Sequence, residues 1–213
     1  MAGRFITFEG GEGVGKSTQI DLLARALRAE GRELVLTREP GGTPGAEAVR
    51  HVVLGGKAKS LGVEMEAALF AAARRDNVEQ LILPAIRAGQ VVLCDRYMDS
   101  SRVYQGAVGG VDEALMDAFE AAATEGARPD LTLIFDLPVE RALSRMRARQ
   151  GRGDDDRYES EGLAAHRQRR QAFLAIAAKE PERCRVIDAD RPSEAIARDV
   201  MRAAREVLPK VAA

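Results

Sequence analysis

Eight consecutive residues, Gly10-Gly11-Glu12-Gly13-Val14-Gly15-Lys16-Ser17, have the types and spacing of a cradle for phosphate. Glycines at 10, 13 and 15 allow the backbone to bend back with its N–H groups turned inward. A helix starting near Lys16 adds unpaired N–H groups and the positive end of its dipole. Lys16 can reach the β- and γ-phosphates of a nucleotide as a point charge, and the Ser17 hydroxyl can complete the shell of a Mg²⁺ ion. Thr18 follows directly and extends the same candidate nucleotide-phosphate segment. The flanks fit: the apolar run Phe5-Ile6-Thr7-Phe8 precedes the motif, and Ile20, Leu22, Leu23, Ala26 and Leu27 follow at helical spacing. A plain glycine-rich turn beside a surface lysine requires neither flank.

Such a P-loop identifies the donor side of a reaction and leaves the reaction open. Thr37-Arg38-Glu39-Pro40-Gly41-Gly42-Thr43 and Asp95-Arg96-Tyr97 each set an acid and an arginine at the end of an apolar run. Taken alone, the first reads as a Pro-Gly turn with a salt-bridged arginine, and Asp95 as the cap of the next turn. Together, two arginines on the edge that carries the phosphate loop can clamp a second phosphate, and Asp95 can hold Mg²⁺ directly or through a water. Phe70 and Arg74, four apart on a predicted helix, share a face and can stack on and hydrogen-bond a nucleobase. Their spacing by itself favours a core phenylalanine and a snorkelling arginine.

Past Asp95-Arg96, the stretch Ser100-Ser101-Arg102-Val103-Tyr104-Gln105-Gly106 gathers hydrogen-bonding side chains into a candidate substrate segment. Arg141, Arg145, Arg147, Arg149, Arg152 and Arg157 surround a glycine- and acid-rich stretch that breaks any helix. In a phosphotransfer enzyme such a mobile loop suggests a lid, which excludes water and brings a cation to the transferring group. The alternative is a solvated loop whose opposite charges pair with each other.

Strands are expected at 4–9, 33–38, 91–95, 131–136 and 184–188. Helices are expected at 16–30, 45–55, 64–88, from about 99, at 112–125, 139–149, 159–179 and 193–207. This alternation predicts an α/β fold, a five-stranded parallel sheet covered by helices on both faces, with ligands at the carboxyl ends of the strands. The 213 residues suffice for one domain over 1–213, with the lid at about 145–158. Basic and acidic residues nearly cancel, at 32 and 33, which argues against bulk attraction to nucleic acid. No apolar run is long enough to span a membrane, and the short N-terminus before the first strand leaves no room for a signal peptide, so a cytoplasmic location is expected. Cys94 and Cys184 fall on predicted buried strands without metal-ligand spacing, as reduced thiols would.

In order and separation, these residues resemble the thymidylate kinases, P-loop nucleoside monophosphate kinases that phosphorylate dTMP. The resemblance covers essentially the whole chain: Phe8-Glu9-Gly10 with the P-loop, 37–43, Phe70 with Arg74, Asp95-Arg96-Tyr97, Tyr104-Gln105-Gly106 and Asp156-Arg157-Tyr158-Glu159. It implies a three-layer α/β/α fold, Mg²⁺ with ATP as co-substrate, dTMP as acceptor in dTTP synthesis, and a homodimer. By the same resemblance Arg38 and Arg96 contact the dTMP phosphate, Phe70 stacks on thymine and Arg74 bonds its carbonyl. Glu12 approaches the 3′-hydroxyl, Tyr104 lies near the sugar, Ser101 and Gln105 line the base, Tyr97 joins the substrate residues and Arg145 the ATP site. Members of the family carry a catalytic arginine either directly after the P-loop acid or in the lid. Here the first position is Gly13, so the resemblance implies the bacterial lid type, with Arg149 as the cation and Arg152 and Arg157 as alternatives.

Two rival readings predict different features. A kinase for another monophosphate or for a deoxynucleoside would show in a substrate panel. A GTP-dependent switch would carry an Asn-Lys-x-Asp guanine reader, which the sequence lacks.

Overall fold

A computed structural model describes residues 3–148 and 162–209. Five strands, β1 (Arg4–Glu9), β2 (Leu34–Arg38), β3 (Val91–Asp95), β4 (Leu131–Asp136) and β5 (Cys184–Asp188), form one parallel sheet in the order β2-β3-β1-β4-β5. The near-continuous apolar strands β1, β3 and β4 occupy its middle, buried on both faces as their composition requires.

Strand alternation sends Ile6, Phe8, Leu93, Leu131 and Leu133 to one face. There α1 (Lys16–Ala29) and α9 (Ser193–Val207) cover them with Leu23, Leu27, Ile196 and Val200. Phe5, Val92 and Cys94 meet Val78, Ile82, Tyr97 and Met98 on the other face, and Ile134 meets Val103 and Phe173. Each such large apolar side chain removed from water contributes about 1.5–3 kcal/mol, so the middle strands are the rigid base of the site. Both cysteines are free and buried, as their strand positions predict.

Among the described residues the remaining α-helices are α2 (Pro44–Leu54), α3 (Val63–Asn77), α4 (Leu83–Arg87), α5 (Met98–Ser101), α6 (Glu113–Thr124), α7 (Val139–Arg147) and α8 (Leu163–Lys179). The sequence predicts one helix over 64–88. The structure instead divides it at a π-helical turn, Val78–Ile82, beside Pro84, which has no N–H to continue the α-helical ladder. A second π-helical stretch, Arg102–Val108, prolongs α5 and carries Tyr104 and Gln105. Among the described residues no helix is long and apolar enough to cross a membrane.

Strand register brings the functional ends together. Phe8 and Arg38 both pair with Asp95, so the ends of β1, β2 and β3 deliver the phosphate loop, Arg38 and Asp95-Arg96 to one edge of the sheet.

Candidate active site

The loop after β1 turns at Gly10, whose φ of 130° suits glycine alone. A Cβ there would come within 2.6 Å of the Phe135 carbonyl oxygen. Lys16, first residue of α1, folds back and donates to the Gly10 and Gly11 carbonyls at 3.2 and 2.9 Å. Burial, and then the Arg96 charge, draw its pKa down to about 8 against the pull of Asp95, Glu12 and Glu9. The next residue, Ser17, donates to Asp95 Oδ2 across 3.1 Å. Asp95 Oδ1 is buried and has no hydrogen-bond partner among the described residues. A hydroxyl and an orphaned carboxylate oxygen fit Mg²⁺, which takes few protein oxygens and fills its octahedron with water and phosphate. Among the described residues no cluster of three His, Cys, Asp or Glu could hold a metal without such help.

Arg96 follows β3 in a left-handed conformation, φ 67°, a strained geometry for a residue with a side chain. Several bonds hold it there. Its N–H donates to the Phe8 carbonyl at 2.9 Å. Beneath it the fully buried Glu9 accepts from the Tyr97 N–H at 2.7 Å, the Ser100 N–H at 3.2 Å and the Ser100 hydroxyl at 2.6 Å. The guanidinium donates to the Gly10 carbonyl at 3.0 Å, Ser100 Oγ at 3.1 Å and Glu12 Oε1 at 3.3 Å. Burial works against its charge, but Tyr104 and the Glu12, Asp95 and Glu9 carboxylates raise its pKa above the ordinary arginine value.

Glu12 stands between the two halves of the site. It also accepts from the Tyr104 hydroxyl, and its second oxygen lies 3.4 Å from His166 Nδ1 and 3.8 Å from Arg169 Nη1, both on α8. Burial would raise its pKa, yet His166, Arg96, Tyr104 and Arg169 outweigh it and hold the carboxylate well below its usual range. Arg169 and Arg96 also stack on the Tyr104 ring, at 4.6 and 5.2 Å from its centroid.

A cavity of about 300 Å³ opens beside this cluster. Glu12, Gly13, Gly15, Lys16, Ser17 and Thr18 form its phosphate side, and Arg38, Asp95 and Arg96 the strand edge. Phe70, Arg74, Tyr97, Ser101, Tyr104 and Gln105 close the far wall, so most expected site residues share one space. Arg74 is buried rather than snorkelling, its Nε donating to Glu39 at 2.7 Å and its Nη2 to Ser101 at 3.0 Å. The Tyr97 phenol points away, into the core, and donates to the Ala127 carbonyl at 2.9 Å. Gly11 and Val14 border a smaller hollow under the loop, and Arg145 donates to the Ala189 carbonyl at 3.1 Å, away from this cavity. Arg149, Arg152 and Arg157 lie outside the described residues.

Residues 8–200 match the family model described as thymidylate kinase. The chain belongs to the thymidylate kinase family. It is 54% identical over 206 residues to a curated thymidylate kinase of Bradyrhizobium sp. (strain ORS 278), covering 97% of this chain and 91% of that one. It is also 54% identical over 195 residues to one of Nitrobacter winogradskyi, covering 92% and 85%.

In this thymidylate kinase family member a catalytic arginine has no room at Gly13. Its φ is 72°, and a Cβ would come within 2.6 Å of the Ala142 carbonyl oxygen and 2.8 Å of Met146 Cγ on α7. Sequence reading missed His166, Arg169 and the Glu39 anchor of Arg74. The one available signal was the i, i+3 spacing of His166 and Arg169 on a predicted helix.

Proposed function

We propose that this chain transfers the γ-phosphoryl group of ATP to dTMP with Mg²⁺, giving dTDP and ADP in the supply of dTTP for DNA replication. The observation that carries the reading is Arg96, whose guanidinium bridges the Gly10 carbonyl of the phosphate loop and Glu12 on the wall of a cavity that also holds Phe70 and Arg74. Donor cradle and base pocket thus share one arginine. That both relatives are thymidylate kinases supports the same acceptor.

The acceptor needs no dedicated base. A phosphate monoester loses its second proton near pH ~6, so the attacking oxygen is already ionised at neutral pH. Arg38 and Arg96 hold that phosphate in line, Lys16 and the loop N–H groups hold the donor phosphates, and the buried wall keeps water from competing. Phe70 stacks on the base and Arg74 donates to its carbonyl, while Ser101 and Gln105 line it. Ser17 and Asp95 would hold Mg²⁺, which neutralises charge on the donor phosphates when bound. A catalytic cation is assigned to Arg149, with Arg152 and Arg157 as alternatives.

We read the chain as one domain working in the cytoplasm as a homodimer. Exposed Leu61 and Met65 near the start of α3 support a second copy there, which light scattering would detect. The activity is tested by initial-rate ADP formation with dTMP, dUMP, UMP, dCMP, AMP, GMP and thymidine offered separately. A clear lead for dTMP with thymidine inert is the expected result; a lead for another acceptor rejects the base-pocket assignment.

A further inference from the structure

Gln105 closes the far wall of the cavity from the π-helical stretch, and its Nε2 donates to Glu66 Oε1 across 3.0 Å. Glu66, in the first turn of α3, is buried and does not itself line the cavity. A carboxylate only accepts hydrogen bonds, so this contact decides which end of the amide is which. A half-turn of a solitary glutamine amide changes little, since its oxygen and nitrogen are nearly equal in size. Here the same half-turn would set a carbonyl oxygen against a carboxylate oxygen in a buried place. The backbone is fixed as well: the Gln105 carbonyl accepts from the Val111 N–H at 3.0 Å, and a Cβ at Gly109 would come within 2.5 Å of that carbonyl.

We propose that Glu66 is a specificity-determining positioning residue, which by holding the Gln105 nitrogen turns the Gln105 carbonyl oxygen towards the base. The inference rests on the acceptor reading above and deepens it. Both N–H bonds sit at the Glu66 end of the amide, so the opposite end is an acceptor and selects a ring nitrogen that carries a proton. Thymine has such a nitrogen, N3, between two carbonyls. Cytosine has a bare lone pair at N3 beside an amino group, and it meets an acceptor with an acceptor. Arg74, a pure donor on the same wall, discriminates in the same sense: it suits the thymine carbonyl and repels the cytosine amino group.

The test compares kcat/KM for dTMP and for dCMP, or the inhibition constant of dCMP against dTMP where its turnover is too slow, in wild type, Glu66→Ala, Glu66→Gln, Gln105→Ala and Glu66→Ala/Gln105→Ala. Glu66→Ala should lower the dTMP-over-dCMP ratio by about five- to tenfold, the size of one neutral hydrogen bond. Gln105→Ala should lower it by as much, and the double variant no further, because Glu66 acts only through Gln105. Glu66→Gln keeps the volume and can turn either end to Gln105, so it also lowers the ratio and gives the answer if the alanine variant does not fold. An unchanged ratio in the Glu66 variants overturns the proposal, as does a fall that persists undiminished in the Gln105→Ala background. A wild type that prefers another acceptor defeats the functional reading itself, and this inference with it.

Discussion

Arg74 and Glu39 form a buried ion pair, Nε to Oε2 at 2.7 Å, with each side chain only 4% exposed. Burial pushes the Glu39 carboxyl up while Arg74 and Asn77 pull it down; for Arg74 burial opposes the charge and Glu39 outweighs it. Removing one partner strands the other charge, so Glu39→Ala should cost about 3–5 kcal/mol in urea denaturation. Arg38 pairs with Glu47 at the surface, 3.2 Å apart and with side chains 55% and 41% exposed, so Arg38→Ala should cost less than about 1 kcal/mol. It should nevertheless raise the KM for dTMP. Equal stability losses would contradict the contrast.

Gly13 is tied to α7 by space rather than by a bond. Gly13→Ala should destabilise by about 1–3 kcal/mol, from left-handed strain plus the approach to the Ala142 carbonyl. At Gly15, also left-handed at φ 99°, nothing lies within 4 Å, so Gly15→Ala should show the backbone strain alone. Denaturant midpoints of the two variants check this; a Gly15 variant as unstable as the Gly13 variant would remove α7 from the explanation.

The sheet was legible because β1, β3 and β4 are short apolar runs bounded by turn residues, and the phosphate loop because glycine, lysine and serine spacing is a local property. Arg38 and Asp95-Arg96 could be linked from sequence because a parallel sheet brings its strand ends to one edge. The burial of Arg74 was not legible, since its partner Glu39 arrives from the end of β2 and leaves no mark on α3. His166 and Arg169 escaped for a similar reason. Their polar side chains face inward to Glu12, which erases the apolar stripe that would have oriented α8. The π-helical turn at 78–82 was hidden because the helical period runs on through it.

Glu9 makes stability depend on pH. Burial, and next the Asp99 carboxylate, push its pKa up from 4.5 to about 7 against Ser100, Arg96 and Tyr97. Between those two values the folded chain keeps a proton that the unfolded chain has released, so unfolding free energy falls as pH rises. The contribution is complete below the unfolded value of 4.5 and lost as pH rises through about 7. Urea denaturation across that range should show a decline in wild type that Glu9→Gln lacks. Parallel profiles would mean that Glu9 is ionised throughout.

Ser17 and Asp95 make the metal dependence testable. Chelation with EDTA should abolish turnover, and restoring Mg²⁺ should recover it. Asp95→Asn keeps the shape and removes the charge, so the Mg²⁺ concentration for half-maximal rate should rise roughly tenfold or more while the circular dichroism spectrum stays unchanged. An unaltered Mg²⁺ requirement would separate Asp95 from the metal.

Arg96→Lys keeps the charge and tests the geometry. The guanidinium reaches Gly10, Ser100 and Glu12 at once, from a backbone held left-handed by Glu9 and Phe8. A lysine has one ammonium and no planar fork, so it can satisfy one of these partners or an acceptor phosphate but cannot bridge loop and cavity together. kcat/KM for dTMP should therefore fall by about 100-fold or more, with the larger part in kcat if the arginine aligns the acceptor for transfer. The Kd for ATP, measured separately by calorimetry, should change little if, as proposed, Lys16 and the loop N–H groups hold the donor. A variant that loses ATP binding in proportion to turnover would move Arg96 from the acceptor to the donor side.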